Sequence, residues 1–311
     1  MKLSANGNGA LCAITFVDFL VKFGDLIAWL IFYQRVDHTS EDCEMTITDA
    51  QWEQYDEDGF LKLGKVLNEI QLQALQDRID EIMLGKSRVG YDKIMMQLDS
   101  DTGKYGDVGP QTNGLKTPTL NYRKIQGLEF DPVFLEYVQD PIFKEICAHI
   151  YGPDTPIASF RSMFMNKPAN KGTVLPWHQD RWNTLDRDPL LTVYTALDPA
   201  TKENGCVQII PKSHKIGVIN PSHPSGFLTP ELAEVHCKPE DTLFLELEAG
   251  EVALLHNWTL HSSDVNRSDQ SRRAFSVSYM DAETVNTRKN ALASESVVFG
   301  EGALTVEHAV A

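Results

Sequence analysis

The chain has 311 residues, 28 basic against 44 acidic side chains and a formal net charge of −16. That length can bury a substantial core, while the acidity argues against nucleic acid, which needs a basic footprint, and against polyanionic substrates unless a local basic pocket overrides the global sign. The five cysteines, Cys12, Cys43, Cys147, Cys206 and Cys237, are odd in number, scattered and free of CxxC spacing. They read as reduced thiols in a cytoplasmic protein, without a disulfide framework or zinc knuckle.

In chain order, residues 10–33 (ALCAITFVDFLVKFGDLIAWLIFY) are apolar but carry Asp18, Lys22 and Asp25. Each charge would cost about 2.5–3.5 kcal/mol at a bilayer centre, so no integral membrane span is expected. The three fall on one helical face, which fits an amphipathic helix docked on protein or lying at a membrane surface. Residues 1–44 are therefore read either as such an extension or as a segment outside the functional protein, with translation expected to start at Met45. A single main domain is placed at 45–282 and a polar, irregular tail at 283–311.

From residue 46 the pattern predicts a short helix capped by Thr48 or Asp49, a strand at 60–63 and an amphipathic helix at about 68–84 stopped by Gly85. Residues 86–120 read as a long loop of the kind that forms lids or binding segments. A strand is expected at 121–128 and one or two helices over 131–152, broken at Pro141. Beyond Pro156 the chain turns to short β segments at 157–166, 191–198, 205–211, 242–249, 251–257 and 274–282, parted by turn signals KENG, HPSG and NRSD. Such punctuation predicts a β sandwich or closed double sheet with its core at about 157–282.

The chemistry starts at WHQDRW (177–182). On a strand, His178 and Asp180 share one face, because side chains alternate with period two; on a helix they would point about 200° apart. Two imidazoles and one carboxylate on one side of a metal, with open positions opposite, are the donor set of non-heme Fe(II) oxygenases. The second imidazole is sought in LLHNWTLHSSDVN, where His261 ends a strand-like run and His256 is the competitor. Arg272 follows His261 at +11, and a guanidinium suits a carboxylate through two parallel bonds; Arg273 is the competing register.

At these residues the sequence resembles the phytanoyl-CoA dioxygenase (PhyH) family of Fe(II)/2-oxoglutarate oxygenases. The resemblance spans about residues 46–282 and rests on DAQWEQYDEDGFLKL, RKIQG, FMNKP…WHQD, ALDPATKENGCVQIIPKSHK and LHSSDVNRSDQSRRAFSVSY. It implies a mainly β fold, a double-stranded β-helix (jelly-roll or cupin-like barrel) with N-terminal helical additions. It also implies His178, Asp180 and His261 as iron ligands and Arg272 as partner of the distal carboxylate of 2-oxoglutarate. Lys124, Gln179, Met163 and Ser263 match positions that line the co-substrate pocket, and Tyr194 stands where the name-giving member has Trp. The implied cofactors are Fe(II), 2-oxoglutarate and O2, with ascorbate as an accessory reductant. The implied reaction is hydroxylation of an unactivated C–H bond of a small organic metabolite or acyl derivative, with release of succinate and CO2. Halogenating relatives carry a small residue in place of the carboxylate, so Asp180 points to hydroxylation; desaturation and cyclisation remain open. Two rival readings are a metal-dependent hydrolase or isomerase on a related barrel, for which Arg272 would be incidental, and a non-catalytic binding module of the same fold. Trp177 and Trp182 are read as packing or pocket rim and His214 as structural. The substrate stays open, with the 86–120 loop and a 216–240 insertion expected to shape it.

Overall fold

The computed structural model describes residues 46–307; the expected N-terminal helix and the start at Met45 lie outside the described residues. Helices form where the sequence offers caps. Thr48 and Asn68 each close a capping box, with Gln51 and Gln71 three residues on, at the start of α1 (Asp49–Asp58) and α2 (Glu69–Met83). These boxes satisfy backbone N–H groups that a helix start otherwise leaves orphaned. Asp131 and Asp140 cap α3 (Pro132–Val138) and α4 (Pro141–Tyr151), each with Pro in the first helical position, where its missing N–H costs nothing. The predicted break at Pro141 is thus a helix start. A short α5 (Pro230–His236) lies in the 216–240 insertion.

The strands are β1 (Phe60–Lys65), β2 (Met95–Leu98), β3 (Thr112–Asn113), β4 (Tyr122–Gln126), β5 (Ile157–Lys167), β6 (Leu175–His178), β7 (Leu191–Ala196), β8 (Val207–Ile209), β9 (Leu243–Leu245), β10 (Glu251–His256), β11 (His261–Ser263), β12 (Arg272–Asp281), β13 (Val285–Asn286), β14 (Ala291–Leu292) and β15 (Val297–Phe299). The large sheet runs β1-β10-β7-β12-β5-β4-β2-β3, with β15 also on β5, and the small one runs β6-β11-β8-β9. All pairings are antiparallel.

Apolar residues of the large sheet divide between its faces. Leu61, Leu191, Val193, Val252, Leu254, Phe275, Val277 and Tyr279 pack with Leu75, Ile79, Phe134, Phe143 and Ile146 of the helices. Phe60, Tyr194, Ala196, Ala253, Leu255 and Ala274 pack with Val207, Ile209 and Leu245 of the small sheet. The result is the expected mainly β fold, two facing sheets in a jelly-roll arrangement with helices outside.

Two regions hold more structure than their composition predicts. The 86–120 loop contains β2 and β3, which extend the large sheet beyond β4; strands of four and two residues carry too little alternation to register in the sequence. Beyond residue 282, β15 pairs with β5, and Val298 and Phe299 enter the main core.

One buried charge has a stability consequence. Glu129 is 8% exposed, accepts from Ser296 Oγ at 3.2 Å and leaves Oε2 without a partner. Burial pushes its carboxyl from an ordinary 4.5 up to about 7. Between those values the folded chain keeps a proton that the unfolded chain has lost, so stability falls as pH rises, by at most about 1.4 kcal/mol per unit. Denaturant titrations from pH 4.5 to 7.5 should differ between wild type and Glu129→Gln by that slope, the wild type losing more stability, or gaining less, as pH rises. Equal slopes would remove Glu129 as its source.

Candidate metal centre and its cavity

The centre forms where the small sheet pairs β6 with β11. His178 and His261 are direct cross-strand partners in that antiparallel pair, so their side chains rise on one face and the ring centroids lie 4.0 Å apart. Each Nδ1 donates to a backbone carbonyl two residues back, Pro176 and Thr259, both at 2.9 Å. Those bonds place the proton on Nδ1 and leave the Nε2 lone pair free, the tautomer a metal-ligating histidine uses.

Asp180 completes the group from just beyond the strand. β6 ends at His178, and the Asp180 N–H donates to Asn257 O at 2.7 Å. Its two carboxylate oxygens lie 3.8 Å from His178 Nε2 and 3.7 Å from His261 Nε2. Ligand atoms of the three residues all fall within 4.8 Å of one another. Burial, then His261, pushes the His178 imidazole down to about 3, so it is neutral at pH 7. Burial alone would raise the Asp180 carboxyl, but the two imidazoles together with Arg161 and Lys124 hold it below the ordinary range. Two imidazole nitrogens and one carboxylate gathered at one point fit a divalent first-row metal. The competing His256 lies elsewhere: its Nδ1 accepts from Trp258 N, and its ring sits 5.0 Å from His214. His214 in turn bonds Asp56 O at 3.1 Å, a structural role.

The trio opens into a cavity of about 190 Å3 between the sheets. Lys124, Met163, Tyr194, Ser263 and Arg272 all line it. Arg272 is 3% exposed and donates through Nη1 to Tyr194 Oη and through Nη2 to Gly205 O, both at 2.9 Å. Among the described residues its buried Nε has no partner, and a buried donor left unpaired costs about 1–3 kcal/mol, so a carboxylate in the cavity suits it. Gly205 has a φ of +77° and stands so close to Asp264 O that an added Cβ would lie 2.5 Å from it; only glycine presents this carbonyl. Arg273 is held by Asp198 and Asp80, and of the two arginines it is Arg272 that lines the cavity.

Gln179 takes a different place from the expected one. It does not line the cavity; it is fully buried on the opposite side of the HxD segment. Its Nε2 donates to Gly217 O and Trp258 O, both at 2.8 Å, and its Oε1 accepts from Ile219 N at 2.9 Å. The reason is the bend just past β6, where Gln179 N–H is tied to Gly226 O and Asp180 N–H to Asn257 O, so that the side chain between the two ligands turns away from the cavity. Gln179→Ala should lower unfolding stability by roughly 2–4 kcal/mol, because three backbone groups lose their partner, without altering 2-oxoglutarate affinity of the folded fraction. A shift in that affinity at unchanged stability would return Gln179 to the pocket.

Several lining residues carry no motif signal. Phe227 stacks on His178 with centroids 4.6 Å apart and planes 8° from parallel, and Tyr105 meets Phe227 at 5.2 Å. The 86–120 and 216–240 segments therefore meet over the centre. Gly226 makes that approach possible, since its carbonyl accepts from Gln179 N and a Cβ there would fall 2.0 Å from Gln179 O. Trp182 lies beneath Arg161, whose guanidinium carbon is 4.4 Å from the ring centroid. Aromatics in loops could have been flagged as candidates, but nothing in one sequence says which loop folds inward.

Comparison with known proteins agrees with this geometry. The profile of the family described as Phytanoyl-CoA dioxygenase (PhyH) matches residues 55–274. A probable phytanoyl-CoA dioxygenase of Caenorhabditis elegans is 25% identical over 287 residues, covering 87% of this chain and 88% of that one. Phytanoyl-CoA dioxygenase domain-containing protein 1 of Bos taurus is 28% identical over 268 residues, covering 76% and 91%. Among solved structures, EctD from S. alaskensis with 2-oxoglutarate and 5-hydroxyectoine superposes with a TM-score of 0.57 at 18% identity, covering 86% of this chain and 85% of that one. The alpha-ketoglutarate-dependent carbocyclase SnoK from nogalamycin biosynthesis gives 0.55 at 20% identity, covering 78% and 87%. At those identities the structural likeness speaks for the fold.

Proposed function

Because the chain belongs to the phytanoyl-CoA dioxygenase (PhyH) family, we propose that it is an Fe(II)- and 2-oxoglutarate-dependent dioxygenase that hydroxylates an unactivated C–H bond of a small organic substrate, with release of succinate and CO2. The observation that carries this reading is the juxtaposition, in one cavity, of the His178–Asp180–His261 cluster with a buried arginine whose Nε is unpartnered. A hydrolase needs no anchor for a dicarboxylate co-substrate.

In this reading His178, Asp180 and His261 hold the iron, which when bound with 2-oxoglutarate and O2 supplies the oxidising power. The protein's part is positioning. The backbone carbonyls of Pro176 and Thr259 fix the two imidazoles, and the Asp180 carboxylate occupies the position whose loss would make room for halide. Arg272 grips the distal carboxylate of the co-substrate, steadied by Tyr194 Oη and Gly205 O. Met163, Ser263 and Lys124 form the adjoining wall. Phe227, Tyr105 and Trp182 exclude water from the reacting face. Among the described residues no helix is long and apolar enough to cross a membrane; the cytoplasm is the proposed compartment.

Anaerobic addition of Fe(II) and 2-oxoglutarate should produce the visible charge-transfer band of a chelated 2-oxo acid. A protein that binds iron yet shows no band with 2-oxoglutarate would be a different enzyme or none.

A further inference from the structure

The cavity's charge is opposite to that of the chain. Five cationic side chains line it, Arg123, Lys124, Arg161, Lys167 and Arg272, against the single carboxylate of Asp180, within a protein of net charge −16. Under the proposed function, on which this inference rests, Fe(II), a dianionic co-substrate, Asp180 and Arg272 cancel, so the other cations remain uncompensated. Two of these are occupied locally: Arg123 donates to Gln97 Oε1 at 3.0 Å, and Lys167 Nζ donates to Thr173 O at 2.6 Å. Burial, reinforced by Arg161 and Arg123, brings the Lys124 ammonium down to about 7, which makes it a half-time charge at neutral pH. Arg161 is different. A guanidinium stays charged, and among the described residues this one has no hydrogen-bond acceptor and no carboxylate within ion-pair distance, only the rings of Trp182 at 4.4 Å and Phe160 at 5.4 Å.

Its place on the strand separates it from the co-substrate. Arg272 pairs in register with Lys167 at one end of β5, whereas Arg161 is six residues back along the same strand, about 20 Å at strand rise. The metal ligands stand on the facing sheet. A planar guanidinium clamped on an indole presents its fork in one orientation, suited to bidentate carboxylate recognition.

We propose that Arg161 is a specificity-determining residue that binds a carboxylate on the substrate, so that the enzyme acts on small carboxylic acids. The acid group is seated against Arg161 and the C–H bond to be oxidised lies toward His178 and His261. A thioester would lack the group that Arg161 recognises.

The test uses iron-loaded protein, held anaerobic and saturated with 2-oxoglutarate, titrated calorimetrically with matched probes: hexanoate and hexanamide, cyclohexanecarboxylate and its carboxamide, phenylacetate and phenylacetamide, and hexanoyl-CoA. At least one acid should bind about tenfold or more tighter than its amide. Arg161→Gln should erase that preference and Arg161→Lys should keep part of it, while the charge-transfer band of the co-substrate complex persists in both. The proposal is overturned if no acid outbinds its amide, if the preference survives Arg161→Gln, or if hexanoyl-CoA outbinds hexanoate. It also falls if folded Arg161→Gln loses the band, since Arg161 would then serve the co-substrate. Absence of the band in the wild type itself would instead strike the dioxygenase reading.

Discussion

Asp180→Ala should fold and fail: succinate release falls below about 1% of wild type, because two imidazoles alone neither hold Fe(II) firmly nor fix its open positions. Folding survives because the local backbone anchor, Asp180 N–H to Asn257 O, does not involve the side chain. The carboxylate gives the metal-free fold modest support at neutral pH, since the two imidazoles, Arg161 and Lys124 outweigh burial and hold it below its ordinary range, and a carboxyl depressed in the folded state stabilises that state. Removing it should lower the thermal midpoint of metal-free protein by a few degrees at neutral pH without preventing folding. Asp180→Asn isolates the charge from the shape and should lie near the alanine variant in turnover. The assay is 2-oxoglutarate-dependent succinate release, with thermal unfolding of metal-free protein beside it. Undiminished succinate from folded Asp180→Ala would remove the ligand assignment.

The second large effect contrasts neighbours. Arg272→Leu should raise the KM for 2-oxoglutarate roughly 10–100-fold or more, the value of charge-assisted hydrogen bonds to a carboxylate. Arg272→Lys should recover only part of the loss, since an ammonium restores charge but not the fork. Arg273→Ala should behave oppositely. That guanidinium makes a two-pronged pair with Asp198 at 2.8 and 2.9 Å and reaches Asp80 at 2.8 Å, so its loss costs about 2–4 kcal/mol of stability and leaves the KM for co-substrate alone. Steady-state kinetics with varied 2-oxoglutarate and urea unfolding of both variants read the contrast. A KM effect confined to the Arg273 variant would reverse the assignment.

The parts of this molecule that a sequence reader can see are those enforced by local rules. Thr48 and Asn68 caps, the Pro141 helix start and the alternation in 157–167 and 272–281 all express themselves within a few residues. The pairing of His178 with His261 is non-local, yet HxD and the downstream Arg272 constrain it from both sides. Asp180 was legible as a ligand but not as a residue beyond the strand's end, because the turn there depends on Asn257 across the sheet. Gln179 matches a pocket-lining position of the family, yet here the bend past β6 turns its side chain to Gly217 O and Trp258 O, a direction set by partners distant in sequence. The directions of Arg161 and Phe227 stayed hidden for a different reason: neither an arginine near the core motifs nor an aromatic after SG says which way its side chain will point. Only the folded chain brings them to the metal ligands.

A single β layer serves as floor to the reaction chamber and as roof to the helical core. On β12, Arg272 and Ser276 look into the chamber while Phe275, Val277 and Tyr279 are locked beneath the helices. On β5, Arg161, Met163 and Met165 share the chamber wall and Phe164 belongs to the core. Numerical parity along these strands thus sorts the chain's freedom to vary. Ser276 on β12 and Met163 and Met165 on β5 can drift toward new chemistry without loosening the helical core, while Phe275, Val277 and Phe164 beside them can drift only at the expense of the scaffold on which that chemistry stands.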